Sequence, residues 1–204
     1  MRILIDSRLD KLTAPYTSLT NKYLPCYQFS EQHISQAITA TTEEIIAQIK
    51  NYDERQDPVF RFLIKIREFP GRLLIGLGLT KGLKNREPFG FADFSLLEQT
   101  DTEIAYGLSG YFWRLNYGLI KIESASEFID SEAICAPKLL MTFALIPTSA
   151  ETYFLSTETR INCPTARLKW QFLPYWLVIR FFSGLIRQRI LKRIKHAAEA
   201  RLRR

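Results

Sequence analysis

The segment that most constrains the fold runs from residue 164 to residue 204. Apolar side chains recur along it at steps of three and four residues, which places them on one stripe of a helix. The sequence predicts Asn162 as the N-cap, with Pro164 in the first turn. Pro174 predicts a kink or a broken turn near Leu173. Such an apolar helix requires a concave surface that covers it. The stripe consists of Leu168, Phe172, Tyr175, Trp176, Ile179, Phe182, Ile186, Ile190, Ile194 and Ala197.

The positive charge of the chain is concentrated in this same segment. The 204 residues contain 28 basic and 21 acidic side chains, for a net charge of +7. Residues 164–204 hold 11 of the basic side chains and a single acid, Glu199. The basic character is therefore a property of the final helix and not of the whole domain. A hydrophobic content of 47% indicates a globular chain with a core of its own.

The cysteines and the apolar runs favour a cytoplasmic protein. Cys26, Cys135 and Cys163 are odd in number, widely spaced and outside any CxxC motif, which disfavours disulfides and zinc. Charge interrupts the N-terminus too early for a signal peptide. The longest apolar run, 172–186, contains Arg180 and is shorter than the roughly 20 residues of a spanning helix. We expect no metal and no cofactor, and peripheral membrane contact is the alternative location.

The rest of the chain predicts a strand, two short helices and a series of antiparallel strands. Residues 26–38 alternate with a period of two, which is typical of a strand. Acids after Thr41 predict a helix start, and Asp57-Pro58 opens a second short helix that ends at Pro70-Gly71. The further strands are predicted at 91–97, 103–113, 115–122, 138–146 and 152–161, with hairpin turns at 99–102 and 147–150 and a short helix at 124–131.

These elements predict an α+β fold in which a curved antiparallel sheet grips the long C-terminal helix. An antiparallel sheet of this kind buries one face, and the apolar stripe of the helix provides the matching surface. We expect one domain over residues 24–204. Residues 1–23 carry weak signals and are predicted to form an N-terminal extension or a lead-in loop.

Four short segments in the last predicted strand and the final helix add to this order of elements. They are Leu155-Ser156-Thr157-Glu158-Thr159-Arg160-Ile161, Ala166-Arg167, Tyr175-Trp176 and Ser183-Gly184-Leu185-Ile186-Arg187. The order of elements resembles the START-like, helix-grip superfamily (SRPBCC), which includes polyketide cyclases, lipid-transfer domains and coenzyme-Q-binding proteins, and the segments are similar to the last strand and final helix of its bacterial, largely uncharacterised members. The resemblance covers roughly residues 24–200. The resemblance implies a cavity between sheet and helix that opens near the short helices and loops. It does not settle function, because such folds include carriers, sensors and enzymes.

Glu31 and His33 are the first candidate site residues. They are two apart, hence on one strand face, together with Tyr27 and Phe29. A carboxylate and an imidazole on an inner face must be paired or shifted in pKa. The resemblance makes the first and last strands neighbours, so one hypothesis adds Glu158 and Arg160 to a polar cluster that orients a ligand. In the alternative, Glu158 and Arg160 form an outward cross-strand pair, while Leu155, Thr157, Thr159 and Ile161 face inward.

A set of aromatic residues is expected to line the pocket, where it supplies apolar area with a few polar handles. The alternative for each of them is simple core filling. The predicted ligand-binding set comprises Tyr27, Phe29, Glu31, His33, Tyr106, Phe112, Trp113, Phe143, Thr157, Arg160, Tyr175 and Trp176.

The basic tail suggests transient contact with an anionic membrane, with a solvated outer helix face as the simpler alternative. Nucleic acid is disfavoured as a partner because no nucleic-acid-binding motif accompanies the charge. The residues expected at the membrane are Arg187, Arg189, Lys192, Arg193 and Lys195.

The leading functional hypothesis is a non-enzymatic carrier of a hydrophobic small molecule, lipid or isoprenoid-like, held between the sheet and the final helix. The sequence contains no GxSxG, P-loop or HExxH motif, and its two histidines disfavour a Ser-His-Asp or zinc enzyme. One alternative is a cyclase- or aromatase-like enzyme that uses the same cavity, with Glu31 and His33 as acid and base. Another is a peripheral membrane protein that docks through its basic C-terminal helix.

Overall fold

The chain folds into seven strands and four helices within the residues that a computed structural model describes, namely 18–52, 90, 93–114, 118–130 and 136–201. The predicted second short helix, residues 57–71, lies outside these residues. In chain order the elements are α1 (Ser18–Tyr23), β1 (Phe29–Ile34), β2 (Ile38–Thr39), α2 (Thr42–Lys50), β3 (Ser95–Gln99), β4 (Glu103–Gly110), β5 (Leu119–Ile120), α3 (Ala125–Asp130), β6 (Lys138–Ser149), β7 (Thr152–Asn162) and α4 (Ala166–Arg201).

The strands form one curved antiparallel sheet in the order β1-β7-β6-β4-β3. The short β2 pairs with β7, and β5 pairs with β4. Among the described strands β1 and β3 do not pair with each other, so the sheet stays open. Together with α4 this confirms the predicted α+β fold with an antiparallel sheet and a long C-terminal helix.

The inner face of the sheet packs against α4 and α2. Directly paired residues of antiparallel strands share a face, and Phe29 pairs with Ile161 while His33 pairs with Thr157. Two apolar clusters fill this side. One surrounds Phe172 and Trp176 in the first half of α4. The other joins the second half of α4 to the isoleucines of α2.

The helix α4 departs from its sequence prediction at its start and in the phase of its stripe. Asn162 is the last residue of β7 and donates to the Cys26 carbonyl, so the prediction that it caps the helix is wrong. Thr165 Oγ1 instead accepts from the Leu168 N–H at 3.3 Å. The helix runs through Pro174 without a break. Ala197 is exposed whereas Ala198 is buried, because the last step of the contact line, from Ile194, is four residues and not the predicted three.

The outer face of the sheet is covered by α1 and α3. Leu19 and Tyr23 of α1 and Phe128 of α3 are buried in a third apolar cluster on this side. The Leu19 N–H donates to Glu103 Oε2 at 2.9 Å, and Thr20 Oγ1 lies 2.9 Å from Thr142 Oγ1. The last six residues of the predicted N-terminal extension therefore belong to a helix that packs on the domain.

Most predicted strands occur close to their expected positions. The 138–146 and 152–161 strands are present as β6 and β7, and the helix at 124–131 is present as α3. The predicted strand over 26–38 is divided into β1 and β2. The strand predicted over 103–113 ends at Gly110, which has a φ of 125° and whose added Cβ would lie 2.3 Å from the Gly118 carbonyl oxygen. None of the helices in the described part of the chain is long and apolar enough to cross a membrane.

Candidate functional site

The buried contact line of α4 is interrupted halfway by a polar group. Between Trp176 and Ile190, both buried, Ile179 and Ile186 pack on the apolar clusters, and the polar residues turned toward the sheet are the half-buried Ser183 and the buried Arg187. The Arg187 guanidinium donates to Thr157 Oγ1 at 2.7 Å through one nitrogen and to Thr159 Oγ1 through another. Its Nε donates to Ser183 Oγ at 3.3 Å. These contacts fix one charged side chain between the two apolar clusters of the inner face.

Arg187 carries its charge in an interior position, and it has no direct counter-ion among the residues that the structure describes. Only 8% of the residue is exposed, and among the described residues its partners are the three hydroxyl groups. Burial lowers the pKa of the Arg187 guanidinium to about 10, and the nearby Glu31 carboxylate opposes this shift. The guanidinium stays charged at neutral pH. Burying such a charge is costly, so its presence here requires an explanation.

Glu31 and His33 of β1 form a hydrogen-bonded pair beside Arg187. His33 Nε2 lies 3.0 Å from Glu31 Oε1, and the two side chains are 19% and 16% exposed. The second carboxylate oxygen, Glu31 Oε2, is buried and has no hydrogen-bond partner within the described residues. The site therefore combines a cation, an imidazole and an acceptor that is not yet used.

Gly184 allows α4 to approach this pair closely. A Cβ added at Gly184 would lie 3.3 Å from both Glu31 Oε1 and His33 Cε1. Such contacts are tighter than ordinary van der Waals packing, so a larger side chain would displace the pair or the helix. We call Glu31, His33, Thr157, Thr159, Ser183, Gly184 and Arg187 the inner polar cluster.

The hypothesis that Glu158 and Arg160 join Glu31 and His33 in one cluster is wrong. Residue pairing puts Arg160 opposite Ser30 and Glu158 opposite Gln32, on the face that α4 does not cover. There Arg160 donates to Glu158 at 2.7 Å and to Asn21 at 2.8 Å. Side chains alternate in direction along β7, so Glu158 and Arg160 must point outward when Thr157 and Thr159 face inward. The pair is nevertheless not a surface pair, because α1 and the residues after it cover it.

Tyr27 also lies apart from the inner polar cluster. It precedes β1, is 41% exposed, and its ring lies 4.4 Å from the Arg160 guanidinium carbon. The prediction that it shares a face with Glu31 and His33 is wrong, because the strand period does not extend before Phe29.

The other predicted aromatics lie on the inner face and pack on one another. Phe29, Phe112, Trp113, Tyr175 and Trp176 all contact the Phe172 ring, with centroids 5.0 to 6.0 Å away. Tyr106 packs edge-on against Phe143, and burial raises the pKa of the Tyr106 phenol. This aromatic cluster directly adjoins the inner polar cluster, since Phe29 is two residues before Glu31 on the same face of β1.

Grooves open at the surface of the described part of the chain, and two of them are lined by none of the predicted ligand-binding residues. A groove of about 330 Å³ lies along β3, β4 and β5 and includes Phe94 and Leu108, which also contact the aromatic cluster. A second groove of about 180 Å³ lies between the end of β1 and α4. Its walls include Lys192 and Lys195.

The residues expected at a membrane do not all face outward. Arg187 belongs to the inner polar cluster, so the expectation that it contacts a membrane is wrong. Lys195 Nζ donates to the Ala37 carbonyl and to Glu199, and the side chain is only 21% exposed. Arg189 and Lys192 are exposed, and Arg193 is half-buried. Charge alone did not distinguish these positions, whereas extending the buried stripe from Phe172 to Ile190 would have placed Ser183 and Arg187 on it.

No group of three or more His, Cys, Asp or Glu side chains that could hold a metal ion occurs among the described residues. No protein-family model matches the sequence, and no curated protein matches it.

Proposed function

We propose that this protein binds and carries a hydrophobic small molecule, lipid or isoprenoid-like, between the sheet and α4, and that it belongs to the START-like, helix-grip superfamily. The observation that carries the proposal is the buried charge of Arg187, which has hydroxyl partners but no ion pair within the described residues. The layout of a curved antiparallel sheet against a long C-terminal helix supports the family assignment.

The free-energy cost of burying the Arg187 charge supports a role for this residue in ligand recognition. Lowering the pKa of Arg187 from its usual value to about 10 corresponds to a cost on the order of 3 kcal/mol for keeping the charge buried. An apolar side chain at this position would continue the contact line without that cost. Because polar groups in a binding site are few and fix orientation, we assign Arg187 to the polar end of the ligand.

The chemistry of the inner polar cluster suggests the kind of end group. Arg187 supplies hydrogen-bond donors through the N–H groups that its three hydroxyl partners do not use, and Glu31 Oε2 supplies an unused acceptor. A hydroxyl or protonated carboxyl group satisfies both kinds of partner. The aromatic cluster around Phe172 then offers apolar contacts to the remainder of the molecule.

The test is native mass spectrometry of the full-length protein as purified, followed by solvent extraction of any bound molecule. We expect a stoichiometric hydrophobic ligand in the parent and its loss in Arg187→Met. The matched control is Arg160→Met, since Arg160 is equally buried but lies on the opposite face of the sheet. Circular dichroism establishes that both variants fold. Absence of any extracted ligand from the parent, or equal retention by both variants, would overturn the proposal.

A second candidate function is a cyclase- or aromatase-like reaction in the same place. The hydrogen bond between Glu31 and His33 favours it, because a carboxylate that orients an imidazole is an arrangement used for general acid–base chemistry. In this case His33→Gln should abolish turnover of the extracted ligand and leave its binding intact. A carrier shows no turnover in either protein.

We propose a cytoplasmic location for the carrier. The free thiols of Cys26 and Cys163 are compatible with a reducing compartment. Cell fractionation tests this, and recovery with a secreted fraction would contradict it.

A further inference from the structure

The side of α4 that points away from the sheet carries a row of exposed apolar residues. Trp170, Leu177, Val178 and Leu185 are 68%, 59%, 62% and 44% exposed. Pro174 is exposed as well. Leu177 and Val178 are adjacent, and the other positions are separated by three, four or seven residues, so all five lie within one band of about 100° on the helix surface. We call Trp170, Pro174, Leu177, Val178 and Leu185 the outer stripe.

The outer stripe lies opposite the buried contact line of the same helix. At 100° per residue, its positions are turned by about half a revolution from Phe172, Trp176 and Ile190. A surface helix of a globular protein normally shows charged and polar residues on its outer side. Exposed apolar side chains spread over about 22 Å of one helix face, the rise from Trp170 to Leu185, indicate a surface that contacts an apolar partner.

The charges around the outer stripe indicate which apolar partner it contacts. Exposed basic residues lie at both ends, Arg167 before Trp170 and Lys192 after Leu185, and Arg180 is exposed between them. The only acid of α4 is Glu199, and it pairs with Lys195 at 2.8 Å. A second copy of this chain would place like charges against each other, which is unfavourable. An anionic lipid surface complements both the charge and the apolar row.

We propose that the outer stripe inserts into the interface of an anionic bilayer, with α4 lying in the plane of the membrane. Trp170 and the aliphatic side chains enter the boundary between headgroups and acyl chains. Arg167, Arg180 and Lys192 contact lipid phosphates. This membrane-contact surface differs from the one predicted from the basic residues of the C-terminal tail. Arg187 and Lys195 face inward, and the outer stripe between Trp170 and Leu185 makes the contact. This inference is independent of ligand binding by the inner polar cluster.

The test is co-sedimentation of the full-length protein with vesicles of phosphatidylcholine alone or of phosphatidylcholine containing phosphatidylserine. We expect binding to the anionic vesicles, with weakening at high salt.

Leu177→Glu and Val178→Glu should each lower the partition coefficient about ten-fold or more. The matched control is Leu96→Glu, which adds the same charge at a position that is 49% exposed on β3, the edge strand opposite β1. Arg167→Glu combined with Lys192→Glu should remove the preference for phosphatidylserine.

Three results would overturn the proposal. One is no binding of the parent to anionic vesicles. Another is equal loss of binding in Leu96→Glu and Leu177→Glu. The third is a dimeric mass by light scattering that Leu177→Glu converts to a monomer while vesicle binding is absent, which would assign the outer stripe to a second copy. Retention of the extracted ligand by Leu177→Glu separates failure of this proposal from failure of the carrier function.

Discussion

The number of donors on the Arg187 side chain decides what its replacement does. The guanidinium reaches three hydroxyl groups, whereas a lysine ammonium is a single point charge on a flexible stem. We expect Arg187→Lys to lower the free energy of unfolding by about 1–3 kcal/mol, because the charge stays buried with fewer partners. Arg187→Met should be the more stable variant, since it removes the charge and keeps the volume.

Urea denaturation at pH 7 measures both variants. The pKa of Arg187 is lower in the folded protein than in the unfolded chain, so the unfolded chain binds more protons between the two values. The cost of the charge is therefore fully present at pH 7 and decreases only as the pH rises above about 10. A lysine variant as stable as the parent would show that the three hydroxyl contacts contribute nothing.

The two described cysteines should differ strongly in reactivity. Cys26 is exposed and Cys163 is buried, and burial raises the pKa of the Cys163 thiol to about 11. At pH 8 only about one Cys163 thiol in a thousand is then ionised, and the thiolate is the reactive form. We expect iodoacetamide to modify Cys26 and to spare Cys163 in the folded protein. Mass mapping in a Cys135→Ser background tests this, and equal modification rates would contradict the burial of Cys163.

At the residue level, strand periodicity predicted some of the site and missed the rest. A period of two was enough to place Glu31 and His33 on one face, and the pair is in contact. The face of the sheet on which the Arg160 side chain lies depends on the register of β7, and the sequence allowed two alternatives for that register. The charge of Arg187 predicts an outer surface, whereas its spacing from Phe172 and Ile190 places it on the buried stripe, and in the folded helix the spacing decides its position.

The close approach of α4 to β1 depends on the missing side chain of Gly184. We expect Gly184→Leu to lower the free energy of unfolding by about 2–3 kcal/mol, because its side chain enters the space of Glu31 and His33. Gly184→Ala should remain within about 1 kcal/mol of the parent, since the gain in helix propensity offsets a 3.3 Å contact with flexible side-chain ends.

Thermal and urea unfolding of the two Gly184 variants measure the effect, and His33 ring signals in NMR spectra report whether the pair is displaced. Equal stability of the leucine and alanine variants would show that α4 does not contact β1 at this point.

Elements with strong local signals were predicted well, and those defined by distant partners were not. The helix α2 begins where Thr41 and the acids after it indicate, and Thr41 Oγ1 accepts from the Glu44 N–H. The β6–β7 hairpin follows from two apolar segments around a polar turn. Helix α1 has only six residues, and its contacts reach partners such as Glu103, 84 residues away, which no local pattern reveals.

At the scale of the whole molecule, the sheet is covered on both faces and α4 has two apolar sides. The inner side of α4 closes over the aromatic and polar clusters, while the outer stripe faces away from the domain. The proposed ligand site and the proposed membrane surface are thus opposite sides of one helix. When α4 lies on the membrane, its opposite side covers the ligand. The same helix would then contact the lipid and control ligand exchange.

Coverage of both faces predicts a single cooperative unfolding transition to which either side contributes. Leu19→Ala on the outer face and Ile194→Ala on the inner face remove side chains that are each 2% exposed. We expect each to lower the free energy of unfolding by about 2–4 kcal/mol and to shift the same transition. Lys22→Ala, in the same helix as Leu19 but half exposed, is the control and should have little effect.

Near-UV circular dichroism and tryptophan fluorescence should give coincident midpoints in urea, because loss of either covering layer exposes the shared sheet. If Leu19→Ala leaves the midpoint unchanged, α1 does not pack on the sheet, and separate transitions for the two variants would show that the two faces unfold independently.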